Sequence, residues 1–430
     1  MEESGEQLPS QTWPKMVSRH ASRFTLPPRV AERNVSAQHV WTLGAVGDVY
    51  VNRENPQEAF AHSERLLNSV DLLFGNCEGS YTDRPSPSPG AGWAVVSSKA
   101  NAAGLGQAGF RVMACANNHI IDGGYVGLDD TMAALREQGI AVIGAGSGLT
   151  EARAPATLEA GGVKVGFLAF SCVQPPAYAA RRNSPGVASI RIQTHYFNRD
   201  EDPYAYVEPG LPPHILTFPR GEDVAAFGDC IQALKATVDL VVASVHWGTS
   251  RHPAQLMDYE VTLGHAAIDA GADIVLGHHH HFLRGIEFHR GRPIVYGLGH
   301  FVFDIQSDRI FSQADLEHLK TLDEYGIFPR EGYPLLPFHP DARMTMMAAF
   351  RFQGANLVGV GLVPCNISGA NHAVPASAES PDGAKIMDYL RSISAKVGQT
   401  TRYRPDGFKV GEWTTIRAEE DSLRAAKDRA

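Results

Sequence analysis

Eight short, largely apolar runs, at 40–46, 71–74, 110–114, 140–143, 163–170, 239–245, 273–276 and 293–296, recur through the 430-residue chain, most of them continuous. A strand with one solvated face alternates apolar and polar residues, so continuous apolar runs predict strands covered on both faces. Between the runs, apolar residues fall at helical spacing. Leu128, Met132 and Leu135 share one face ahead of Gly139, a helix stop, and Val224, Phe227, Ile231 and Leu234 repeat the pattern. Strand, helix, strand in this order predicts an α/β fold, a layered sheet sandwich flanked by helices. In such folds ligands bind where strands end and loops begin.

Residues 1–38 are polar and proline-bearing without a lasting period, and read as an irregular N-terminal arm. One domain is expected over 39–400, with late strands at 344–352 and 357–363, a helix at 385–396, and a C-terminal tail at 401–430. Three stretches break the alternation: 84–93 is rich in proline and glycine, while 195–219 and 304–340 carry many aromatic residues. Long aromatic insertions of this kind serve as lids, pocket walls or surface packing.

With 38 basic against 47 acidic residues, the net charge is −9, and no overall positive field exists to draw in nucleic acid. Any anionic substrate has to be caught locally. The five cysteines are odd in number and scattered, unlike a disulfide framework or a zinc ribbon. No run of about 18 apolar residues and no secretory signal pattern is visible, and a cytoplasmic location without a membrane span is expected. The oligomeric state is not encoded in any pattern.

The histidines carry most of the chemical information. Of 18, seven fall at or just after predicted strand ends: His119, His246, His278, His279, His280, His281 and His300. One histidine is usually a satisfied core or surface residue, but seven at strand ends call for a shared role. Carboxylates and amides occupy the same topological position, in Gly47-Asp48, Gly75-Asn76-Cys77-Glu78, and Ala116-Asn117-Asn118-His119 followed by Asp122. Imidazole combined with hard oxygen donors suits one or two divalent ions, manganese, zinc or iron, in an open hydrolytic site. Arg181 and Arg182, after the fifth strand, form a guanidinium pair able to hold a carboxylate or phosphate, or a solvated surface patch. Arg53 is a further anion-anchoring candidate, and Trp247 reads as packing.

In the order and spacing of these motifs, together with His246-Trp247-Gly248, Gly277-His278-His279-His280-His281 and Tyr296-Gly297-Leu298-Gly299-His300-Phe301, the chain resembles the CapA, or poly-γ-glutamate capsule biosynthesis, family. The resemblance covers about 40–400. It implies a metallophosphoesterase-like fold and a metal centre ligated by Asp48, Glu78, Asn118, His246, His278 and a second histidine of the run. The metallophosphoesterase pattern selects His280 for that place and the CapA pattern His281. It further implies that His119 acts as acid or anion stabiliser, with Asp122 orienting it, and leaves open whether Glu78 or Asn76 bridges two ions. Against the family pattern, Ser250 replaces a glutamate and His300 an asparagine, so a carboxylate is lost and an imidazole gained; His300 then joins Arg181 and Arg182 as a candidate substrate contact. The implied activity is metal-dependent hydrolysis of a small anionic phosphoester or amide, with a non-catalytic part in capsule polymer assembly as the alternative.

Overall fold

Alternate residues of the strand Val163–Ser171 face two different cores. Val165, Phe167 and Ala169 join one apolar cluster, and Leu168 and Phe170 join another. The same division runs through Leu240–His246 and Ile274–His278: Leu240, Val242, Ile274 and Leu276 lie in the first cluster, and Val241, Ala243, Val245 and Val275 in the second. Side chains alternate across a pleated strand, so two covered faces require apolar residues at every position. The largely continuous apolar runs have this cause.

The computed structural model describes residues 39–87, 94–197, 213–306, 318 and 325–421. The expected arm at 1–38 lies outside them, as do 88–93, 198–212, most of 307–324 and the end of the tail. The fold is mixed α/β with two main sheets. The larger runs in the order Arg402–Arg404, Ile416–Glu419, Asn356–Ile367, Met344–Gln353, Val40–Tyr50, Leu72–Cys77, Val112–Ala114 and Ala141–Ile143, with His300–Phe303 pairing parallel to the end of Val40–Tyr50. Its half from Val40–Tyr50 to Ala141–Ile143 is parallel; the half beyond Met344–Gln353 is antiparallel. The smaller sheet runs Ile286–His289, Arg292–Val295, Ile274–His278, Leu240–His246, Val163–Ser171 and Ala156–Ala160, parallel except at its two edges.

The two sheets share the first core, where Phe74 of the larger stacks on Phe167 of the smaller with ring centroids 6.2 Å apart. The second core lies between the smaller sheet and the helices Gly221–Lys235 and Asp258–Asp269, through Phe227, Ile231, Leu263 and Ala267. Helices Gly124–Glu137 and Pro381–Lys396 bring Leu128, Met132, Leu135, Ile386 and Leu390 into the first core. The last helix starts at the Ser380 hydroxyl, which accepts from the Gly383 amide at 3.1 Å.

Several elements differ from the sequence reading. The ends of the 195–219 stretch are not loop: Ile192–Phe197 and His214–Pro219 pair as an antiparallel ribbon whose Tyr196 and Phe218 side chains are exposed. The segment expected as a tail supplies two strands, Arg402–Arg404 and Ile416–Glu419, to the larger sheet. The helix Asp258–Asp269 and the strands Ala156–Ala160, Ile286–His289 and His300–Phe303 were not anticipated.

The parallel pairing of Val40–Tyr50 with His300–Phe303 needs close backbone approach. The Asp48 amide donates to the Gly299 carbonyl at 3.0 Å, and a Cβ on Gly47 would lie 1.9 Å from that same oxygen. Gly47→Ala is therefore expected to lower the unfolding free energy by about 1–3 kcal/mol, the range for overpacking. The measurement is a fall in urea midpoint at unchanged m-value.

Candidate metal centre

Strand parity delivers the first two histidines. His246 and His278 continue the inward-facing series of their strands, pair with each other in register, and so point at the larger sheet. His278 stacks near Phe74 with ring centroids 5.8 Å apart. Opposite them, Asp48 and Glu78 follow the apolar parts of adjacent parallel strands, joined through Asp48↔Asn76. Both carboxylates are buried.

Asn76 holds the carboxylates in place: its Nδ2 donates to Asp48 Oδ1 at 2.9 Å and to Glu78 Oε2 at 3.4 Å. His281 Nδ1 lies 3.2 Å from Asp48 Oδ2, its Nε2 lies 3.9 Å from Glu78 Oε1, and His278 Nδ1 lies 3.7 Å from Asp48 Oδ1. His246 Nε2 is 2.7 Å from Asn118 Oδ1 and 3.4 Å from Glu78 Oε1. Three sets of donor atoms lie within single-ion reach of one another: Asp48, Glu78 and His246; Glu78, His279 and His281; and Asp48, His281 and His300.

The run 278–281 does not act as a unit. His279 and His281 have φ of 88° and 61°, left-handed conformations that non-glycine residues adopt at a cost and that concentrate at functional sites. These turns send His279 and His281 to the carboxylates and His280 away. His280 Nε2 shares a 2.7 Å hydrogen bond with Glu260 Oε1, while Glu260 Oε2 accepts from the Met257 amide at 2.7 Å and caps the helix Asp258–Asp269. Of the two histidines left open by the sequence, His281 sits at the carboxylates and His280 stands apart from them.

Asn117, Asn118 and His119 are consecutive but serve different contacts. Asn117 Nδ2 donates to the Cys77 carbonyl at 2.7 Å, fixing the loop to the neighbouring strand. Asn118 meets His246. His119 Nδ1 donates to Asp122 Oδ2 at 2.7 Å, and Asp122 is itself held by the Val95 amide at 2.9 Å and the Tyr178 hydroxyl at 3.2 Å.

The remaining candidates fall elsewhere. Arg181 and Arg182 are exposed, and no hydrogen bond or ion pair joins either side chain to the cluster among the described residues. Arg53 is engaged by Asp304, Nε to Oδ2 and Nη2 to Oδ1 both at 2.8 Å. Trp247 is buried and donates to the Tyr296 carbonyl at 2.9 Å. His300 is fully buried beside His281. The Cys77 thiol, against Cys115 and fully buried, is pushed well above its ordinary value, which suppresses its reactivity. Glu260 and Tyr178 were missed by motif reasoning, while His279 and Asn76 had been named in their motifs without these contacts; the only local signal for Glu260 was its place at the third position of an unrecognised helix.

Buried polar atoms ordinarily find partners. Here Glu78 Oε1 and both ring nitrogens of His278 and of His300 have none. Burial pulls His246, His279 and His300 well below the ordinary imidazole value, keeping them neutral with a lone pair to offer. Burial raises Asp48, but adjacent His278 and His281 outweigh it and hold that carboxylate well below its usual range. Glu78 is pushed well above its range by burial and by Asp48 beside it. Acceptors converge with too few protons to satisfy them, and this donor set fits a divalent cation.

The same groups govern acid stability. His246, His279, His280 and His300 are held below 6.5 by burial, so the stability they contribute is present above that value and is lost as pH falls toward their folded values. Glu78 is raised, and burial raises Glu260 to about 7; their contribution is present below 4.5 and is lost as pH rises. Between 4.5 and 6.5 the four imidazoles outnumber the two carboxyls. The chelator-treated protein should therefore lose stability on acidification through this window. Urea midpoints at pH 6.5 and 5.5 check this; a flat or rising midpoint contradicts it.

Residues 42–305 match the family described as bacterial capsule synthesis protein PGA_cap, and the chain belongs to this family. It is 32% identical over 301 residues to a probable polyglutamine synthesis accessory protein of Mycobacterium tuberculosis (strain H37Rv), covering 69% of this chain and 65% of that protein's length. It is 30% identical over 292 residues to the PGA biosynthesis protein CapA of Bacillus subtilis (strain 168), covering 65% and 68%. Against the capsule biosynthesis protein CapA of Bacillus anthracis it is 27% identical over 276 residues, covering 61% and 60%. No helix among the described residues is long and apolar enough to cross a membrane.

Proposed function

We propose that this chain is a metal-dependent hydrolase acting in capsule or poly-glutamate metabolism, on a small anionic phosphoester or a γ-glutamyl-type amide. The observation that carries this reading is the convergence of Asp48, Glu78, Asn118, His246, His278, His279 and His281 with orphaned, buried acceptor atoms. These residues would hold the ion. Two sheets sharing one core, with the donors at strand ends, support a metallophosphoesterase-like layout. A divalent ion of manganese, zinc or iron supplies Lewis acidity and acidifies water at neutral pH.

The chain's own groups supply the rest. His119, anchored at Nδ1 by Asp122, offers Nε2 as the proton donor to a leaving group. Asn76 keeps the two carboxylates close despite their repulsion. Arg181 and Arg182 are the proposed contacts for the substrate's anionic group, their exposed guanidiniums being suited to bidentate pairing.

The relatives' names favour a second reading, a non-catalytic accessory role in polymer synthesis. The test is turnover by the manganese-, zinc- or iron-loaded protein across phosphoesters and γ-glutamyl amides, with Asp48→Asn as control. Hydrolysis lost in the control supports the enzyme. Metal binding without turnover of any substrate supports the accessory role.

A further inference from the structure

His300 was expected to touch substrate, but its surroundings point elsewhere. The ring is fully buried. Phe303 stacks on it at 4.8 Å and 11°, Phe338 meets it edge-on at 4.4 Å, and His281 lies 4.3 Å away, all between ring centroids. A substrate cannot reach this imidazole without displacing packed aromatics. Yet neither ring nitrogen has a hydrogen-bond partner, a costly state for a buried imidazole. One His300 nitrogen, one His281 nitrogen and one Asp48 oxygen lie within 4.8 Å of one another. Small side-chain rotations would bring these three donors onto one ion at bonds of about 2.0–2.2 Å.

We propose that His300 is a metal ligand, completing with Asp48 and His281 a second ion position beside the one formed by Asp48, Glu78 and His246. The proposal rests on the metal-centre reading above and adds to it an asymmetry between the two positions. Asp48 belongs to both positions and couples them. The first position has two carboxylates, one imidazole and the Asn118 amide oxygen nearby, a hard set that accepts manganese. The second has two imidazoles and one carboxylate, a set that prefers zinc or ferrous iron over manganese or magnesium. Phe303 and Phe338 wall the imidazole-rich side and exclude water from it.

The experiment is equilibrium dialysis of the chelator-stripped full chain against zinc and against manganese, with bound metal counted by elemental analysis. Wild type should bind two equivalents of zinc but only one of manganese at matched free concentration. His300→Asn, and the bulkier His300→Gln, should retain one zinc and lose the other or bind it at least 10-fold more weakly. Melting in chelator confirms that each variant folds, and the better-folded variant decides. Two zinc ions bound by a folded variant at wild-type affinity overturn the His300 assignment while leaving the metal centre standing. A single wild-type ion that the variants keep overturns it as well. A wild-type chain that binds neither metal refutes the underlying reading instead.

Discussion

Replacing His246 by alanine is expected to cost this protein at least about 100-fold in affinity for a divalent cation, and its hydrolytic turnover with it. Removing a hydrogen-bond partner of a metal ligand typically costs 10–100-fold in affinity, so removing a direct donor should reach at least the upper end of that range. His246 lies 2.7 Å from Asn118 Oδ1 and 3.4 Å from Glu78 Oε1, so its loss also frees the two oxygens it holds together. Calorimetric titration of the chelator-stripped variant measures the effect. Unchanged affinity in a folded His246→Ala protein contradicts the account.

His119→Ala should behave in the opposite way, keeping its metal and losing rate. General acid catalysis contributes about 10²–10⁴-fold, and kcat should fall by that factor while bound metal stays at the wild-type level. The loss should shrink for substrates whose leaving group departs without a proton, such as nitrophenyl esters, and persist for alkyl ones. Asp122→Asn removes the acceptor that fixes Nδ1–H and should reproduce the pattern in weaker form. Loss of metal, or a defect equal for both leaving groups, would assign His119 to the ion rather than to the proton.

These contrasts rest on positions that were unequally legible in the sequence. His246 and His278 could be read because an unbroken strand has a fixed side-chain period, and both end runs that the apolar pattern marks. His280 and His281 could not be separated, because the strand period stops at His278 and the positive φ of His279 and His281 reverses the directions that counting would assign. His300 was placed at a strand end, yet its strand went unseen: it is four residues long and borrows its pairing from the end of Val40–Tyr50. Arg53 looked available because its partner Asp304 lies 251 residues away, and ion pairs between distant segments leave no local trace. The 195–219 stretch did not read as strand because residues such as Tyr196 and Phe218 sit on a ribbon paired only with itself, without the two-sided burial that marks the main strands.

The family match and the geometry meet at one point, where two carboxylates of the larger sheet face the imidazoles of the smaller. Anomalous scattering from crystals of the zinc- or manganese-loaded protein, recorded at the edge of the metal used, locates the ion directly. The account requires a strong peak within bonding distance of Asp48, with Glu78, His246 or His281 completing the shell. A metal-loaded crystal whose anomalous density lies elsewhere, with these side chains keeping their hydrogen bonds to one another, would contradict it.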